Sequence, residues 1–185
     1  MTRSICLTIC LAPAVLWLSA CESGGAAKAL SSKTASKTST PEAPAAKRSM
    51  PAPDFTLKDI HGSAVQLSSL RGKGVVLAFW FLGCPPCRAE APHLSQVAER
   101  YRDKGVVVLS VDVQDADTPE QVKPFAEKLG LKHVLLMDGG IVGEKYGVRS
   151  TPTTFLINAQ GEVFEGWIGA DKERLEQGAQ KLAAK

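Results

Sequence analysis

The chain predicts an α/β fold in which one mixed β-sheet is flanked by helices. Three observations carry that reading. Apolar, β-branched runs alternate with helical-period segments between Val75 and Met137, a hairpin pattern follows over 153–168, and an amphipathic stretch comes last. The alternating strands call for parallel neighbours and the hairpin for antiparallel ones, hence a mixed sheet.

The first strand is Val75–Phe81, a continuously apolar run of the kind buried on both faces. Beyond Cys84 the period changes: Leu94, Val97, Ala98 and Tyr101 recur at helical spacing, with Arg88, Glu90, Glu99, Arg100 and Arg102 between them. Val106–Val113 reads as a second strand. Thr118-Pro119-Glu120-Gln121 starts a helix, with Thr118 as N-cap and Gln121 completing a capping box, and Gly130 stops it after Leu129. His133–Met137 is a strand and Ile141–Tyr146 a short helix. Thr153–Asn158 and Glu162–Ile168 form a hairpin across Asn158-Ala159-Gln160-Gly161, and Asp171 opens a last helix that reaches Leu182.

Cys84-Pro85-Pro86-Cys87 stands where the first strand hands over to its helix. Cys84 is thereby placed at a helix N-terminus, where unpaired amides and the positive end of the helix dipole favour a thiolate. The two prolines suit a first helical turn and carry no N–H, which leaves the amides of Cys87 and Arg88 as the nearest donors. Arg88 adds positive charge. Cys87 lies inside the turn and is expected to be the more covered sulfur, so Cys84 attacks a substrate disulfide and Cys87 resolves the mixed disulfide. A zinc site would need further ligands, and no second Cys pair or His-x-His cluster follows; His61, His93 and His133 are scattered.

Cys6, Cys10 and Cys21 belong to a different kind of segment. Residues 1–20 read as a signal peptide: Arg3 supplies the charged start, Ile5–Leu18 is mostly apolar, and Leu18-Ser19-Ala20-Cys21 matches the lipobox of bacterial lipoproteins. Cys21 would then be lipidated and open the mature chain. An apolar stretch this short is marginal for spanning a bilayer. Glu22 departs from the Asp of the inner-membrane retention signal in enteric bacteria, so the choice of membrane stays open. Residues 22–50 are mainly Ala, Ser, Thr, Lys, Gly and Pro, too polar to fold, and read as a disordered tether spanning on the order of 30 Å. Five basic residues against two acidic ones give that tether a net charge of +3, and the domain at 51–185 is left at −1. The chain's positive charge therefore resides in the tether and argues for no nucleic-acid partner.

Residues 51–185 resemble thioredoxin-like proteins and, among them, the membrane-tethered redoxins of the TlpA/ResA type. Pro53-Asp54-Phe55-Thr56-Leu57 with Gly62 matches a redoxin opening shared with peroxiredoxins. Phe79-Trp80 leads into Cys84-Pro85-Pro86-Cys87-Arg88-Ala89-Glu90-Ala91-Pro92, the most specific match. Tyr146-Gly147-Val148-Arg149-Ser150-Thr151-Pro152-Thr153 is similar to the family's cis-proline loop. The resemblance implies a thioredoxin-like fold, a mixed central sheet flanked by helices, with a redoxin-type N-terminal extension and a central insertion. It implies that Pro152 is cis beside the dithiol, with the Thr151 backbone free to pair with an extended substrate. It also implies that Glu90, on the helical face of Cys87, is a semi-buried carboxylate that tunes the pair and takes a proton from Cys87; a solvated first-turn carboxylate is the alternative. Thioredoxin's buried Asp is replaced here by Ala78. Gly83 stands where members usually carry Trp, which predicts a less aromatic substrate-facing surface. Trp80 is expected in the core and His93 on the helix surface.

The implied activity is thiol-disulfide exchange outside the cytoplasm, with the cysteine pair and no cofactor. It would reduce disulfides in selected proteins, of the apocytochrome c or copper-site assembly type, and draw electrons from a membrane donor of thiol-disulfide type. Three alternatives share parts of the pattern. A disulfide-donating oxidant differs only in potential. A thiol peroxidase matches the opening motif, but the Pro-x-x-x-Thr-x-x-Cys loop is missing. A Cu(I)-binding chaperone would use the dithiol as soft ligands, with His93 as the only obvious further donor.

Overall fold

A computed structural model describes residues 49–184. The expected signal peptide, Cys21 and nearly all of the tether lie outside those residues. The elements are β1 (Met50–Pro51), β2 (Thr56–Asp59), β3 (Ala64–Gln66), β4 (Gly74–Trp80), α1 (Pro85–Tyr101), β5 (Val106–Asp112) and α2 (Pro119–Leu129). They continue with β6 (Val134–Met137), α3 (Ile141–Lys145), β7 (Thr153–Ile157), β8 (Glu162–Ile168) and α4 (Lys172–Ala183). The strands form one sheet in the order β1-β8-β7-β4-β5-β6-β2-β3. β4 runs parallel to β5, from Gly74 opposite Val106 to Trp80 opposite Asp112, and antiparallel to β7. β5 and β6 are also parallel, and the outer pairs are antiparallel.

Every residue of β4 is buried, as its unbroken apolar run requires. The pleat sends Val76 and Ala78 to one face, where Leu94, Val97, Leu156, Leu175 and Ala179 complete a core beneath α1 and α4. Val75, Leu77 and Phe79 point to the other face, into a core with Phe55, Leu67, Leu109, Leu136 and Ile157. Gly178 lets α4 lie close on the sheet, since a Cβ there would stand 2.5 Å from Leu156 Cδ1.

The predicted elements recur with small shifts. Thr118 caps α2, its N–H donating to the Gln121 side chain at 2.9 Å, and Gly130 closes the helix at φ +59°. β4 stops at Trp80 rather than Phe81, because the chain turns there. The last ladder bond runs from Val113 N–H to Trp80 O, and the Leu82 N–H donates to Asp117. The opening segment holds three short strands that the sequence did not announce. β2 and β3 pair with each other and β2 joins β6, while the Tyr146 hydroxyl donates to Pro53 O at 2.9 Å and ties the segment down. These strands are the N-terminal extension; α2 and β6, between β5 and α3, are the central insertion.

Leu156→Ala removes a fully buried side chain from the α4 interface. It is expected to destabilise the fold by about 2–5 kcal/mol, read as a lower denaturation midpoint at unchanged slope.

Candidate active site

The polypeptide leaves β4 at Trp80, turns through 81–83 and enters α1 with Pro85 and Pro86 in its first turn. Cys84 is the N-cap, and its Sγ accepts the Cys87 N–H at 3.2 Å. The Arg88 N–H, the other expected donor, goes to the Cys84 carbonyl instead. The two sulfurs are joined in a disulfide. In this oxidised form Cys84 is 3% exposed and Cys87 2%, so exposure does not rank them as the sequence suggested. What distinguishes them is position, because Cys84 receives the amide. The Arg88 guanidinium lies 5.4 Å from the centre of the Phe125 ring, and Phe125 stacks on a buried Trp80 at 5.5 Å.

A Cβ at position 83 would stand 2.8 Å from the Phe81 ring, so this ring occupies the space that a side chain at 83 would need. Phe81 itself is half-buried against the cluster that holds Trp80, Cys84 and Cys87. The loop beneath it is held from below: Asp117 accepts the Leu82 N–H, and its neighbour Asp112 is buried at the end of β5. Burial pushes the Asp112 carboxyl up from 3.8 to about 7, with the Gln114 N–H opposing and Asp117 adding to the rise.

Glu90 follows Cys87 by one turn and is 2% exposed, which decides against a solvated carboxylate. Burial pushes its pKa from 4.5 up to about 7; the Asp171 backbone opposes this and the Asp171 carboxylate adds to it. The Thr151–Pro152 bond is cis. Cys87, Glu90 and Pro152 border one small cavity behind the disulfide, so the predicted residues of the dithiol, the carboxylate and the proline loop come together. The loop is fastened by the Gly169 N–H to Pro152 O and by the Thr153 hydroxyl to Ser150 O, neither of which engages the Thr151 backbone. His93 stays on the helix surface beside Gln96.

Sequence reasoning missed Ser110 and His133, which line the same cavity. His133 Nδ1 lies 2.7 Å from Ser95 Oγ, a pairing across 38 residues that no local pattern announces. Among the described residues no group of three or more His, Cys, Asp or Glu is placed to hold a metal, and no helix is long and apolar enough to cross a membrane.

Residues 49–165 match the model of the AhpC/TSA family. The chain belongs to that thioredoxin-like family. The thiol-disulfide oxidoreductase ResA of Bacillus thuringiensis (strain Al Hakam) is 40% identical over 134 residues, 71% of this chain and 76% of that protein. Among solved structures, a thiol:disulfide interchange protein of the thioredoxin family from Chlorobium tepidum TLS aligns with a TM-score of 0.66 and 26% identity, covering 74% of this chain and 98% of that one. StoA from Bacillus subtilis aligns with a TM-score of 0.60 and 25% identity, covering 69% and 96%. With thiol-disulfide oxidoreductases of this kind as its relatives, the chain is an enzyme, a thiol-disulfide oxidoreductase.

Two substitutions test the site. Gly83→Trp is expected to cost about 1–3 kcal/mol by forcing Phe81 aside, and a double-mutant cycle with Phe81→Ala should recover part of that loss. Glu90→Gln reads the buried carboxyl. Because the folded pKa is raised, stability from the protonated acid is complete below pH 4.5 and lost as the pH rises through about 7. Relative to wild type, the Gln variant should therefore gain about 3 kcal/mol between pH 4.5 and pH 8, measured by denaturant unfolding across that range.

Proposed function

We propose that this enzyme is a lipid-anchored dithiol reductase of the bacterial cell envelope, acting outside the cytoplasm on disulfides of selected proteins. The observation that supports it best is the Cys84–Cys87 pair at a helix N-terminus, directly in front of the buried Glu90 carboxyl. Cys84 attacks a substrate disulfide, forming a mixed disulfide and releasing one substrate thiolate. Cys87 gives its proton to the Glu90 carboxylate and attacks Cys84 Sγ; the second substrate sulfur leaves with the electron pair and the Cys84–Cys87 bond forms. Two electrons pass from the dithiol to the substrate, and no cofactor beyond the cysteines takes part. Thr151 and Pro152 hold the substrate, whose extended backbone pairs with the Thr151 groups left outside the loop's own network.

The lipobox-like Leu18-Ser19-Ala20-Cys21 and the tether support a location at a membrane facing the periplasm or an equivalent space, where oxidising conditions make a dedicated reductant useful. A membrane electron donor of the thiol-disulfide type reduces the pair again after each turnover. The substrate class is an apocytochrome c or copper-site assembly protein.

Cys87→Ser should accumulate a mixed disulfide through Cys84, and Cys84→Ser should form none, both followed by thiol trapping with a disulfide-bonded protein such as insulin. The reduction potential decides the direction. A value near or below about −270 mV supports a reductase, and a value near about −120 mV makes the protein a disulfide donor instead.

A further inference from the structure

The cavity behind the disulfide offers about 10 Å³ and is bordered by Ala78, Cys87, Glu90, Ser110, His133 and Pro152, among others. Four residues of the lining carry a buried polar atom with no protein partner: Trp80 Nε1, Glu90 Oε1, Ser110 Oγ and His133 Nε2. All four side chains are more than nine-tenths buried. An unmet polar atom in an interior costs about 1–3 kcal/mol, so four around one cavity point to a shared hydrogen-bonding ligand. The space is close to the least that admits one water, and a buried water takes two to four polar partners.

His133 also borders a second, solvent-open pocket of about 420 Å³. The charged and titratable groups there are Asp59, His61, Lys123, Glu127 and Lys132. His133 Nδ1 contacts Ser95 Oγ at 2.7 Å, and that oxygen accepts the Lys132 N–H at 2.9 Å. His133 and Leu135 thus border both the cavity behind the dithiol and a pocket open to water, and of the two only His133 can carry a proton.

We propose that a single water bound by Glu90, Ser110 and His133, together with the His133–Ser95 pair, forms a proton exit from behind the dithiol to the outer pocket. The proposal rests on the reading of Glu90 as acceptor of the Cys87 proton. A substrate docked on Cys84 and Pro152 covers the front of the site, so a proton released by Cys87 needs a path that the substrate does not block. Once Glu90 holds that proton, it passes it to the water and the water passes one to His133 Nε2. The ring then gives up its Nδ1 proton through Ser95 Oγ to solvent beside Lys132. Glu90 is again a carboxylate, the ring is neutral with its proton now on Nε2, and one proton has reached bulk water; the same path run backwards, returning a proton to Cys87 when the pair is reduced again, restores the Nδ1–H ring. Burial lowers the His133 pKa from 6.5 to about 4, so the ring transmits protons rather than storing them. The other ionisable group that faces Glu90 is Asp171, at the N-cap of α4.

The test is single-turnover kinetics on the full chain with a disulfide-bonded peptide, separating formation of the mixed disulfide from its resolution. His133→Ala should leave formation unchanged and slow resolution about tenfold or more, short of the roughly 10²–10⁴ that a direct acid or base contributes. Free imidazole, admitted by the outer pocket, should restore the rate. Resolution at the wild-type rate, or slowing that imidazole does not repair, overturns the exit. Glu90→Gln in the same assay separates the two ideas. Wild-type resolution there overturns the acceptor reading and the exit with it, whereas slow Glu90→Gln beside fast His133→Ala overturns the exit alone. If His133→Ala does not fold, the ¹⁵N shifts of the His133 ring in the unaltered chain serve instead. They should move with the Glu90 titration near pH 7; shifts that stay flat through that range overturn the proposal.

Discussion

The Glu90 carboxyl is held out of water directly behind a disulfide, and much of the architecture converges on keeping it there. Ionising an isolated buried carboxyl is costly, so the group retains its proton to near neutral pH. Its walls come from five separate parts of the chain: the end of β4, the first turns of α1, β5, the chain entering β6, and the cis-proline loop before β7. The N-cap of α4 faces the same group. A carboxyl with a pKa near 7 beside Cys87 is suited to both accepting and releasing a proton at physiological pH.

The sheet supplies rigidity and the connections supply chemistry. β4 is buried along its length and clamped between β5 and β7, so the turn after Trp80 starts from a fixed point. Asp117 then fixes the Leu82 amide from beneath, next to the buried Asp112. The disulfide thus sits on a loop whose ends are both anchored, one in a central strand and the other in a seventeen-residue helix. Reactive groups on short connections between rigid elements are held in place without long-range strain.

The parts legible in the sequence were those with a strong period or distinctive residue chemistry. β4 and β5 are long apolar runs, α2 carries its own start and stop signals, and the Cys-Pro-Pro-Cys and Thr-Pro motifs mark the two loops that meet at the site. β1, β2 and β3 were not legible because they span two, four and three residues, too few to show alternation, and their side chains are mostly exposed. Ser95 carries no signal of its own on α1, and His133 looked like a stray histidine opening a strand. Only the packing of α1 against the segment before β6 brings them to 2.7 Å. That the Phe81 ring folds back to within 2.8 Å of where a Cβ at 83 would stand was likewise visible only once the turn is built.

The most direct test of this account is the ¹³C NMR titration of the Glu90 carboxyl in the oxidised protein, assigned by comparison with Glu90→Gln. The structure predicts a midpoint near pH 7. A midpoint at the ordinary 4.5 would mean that the carboxyl is solvated, and would remove the proton acceptor on which the account of the dithiol depends.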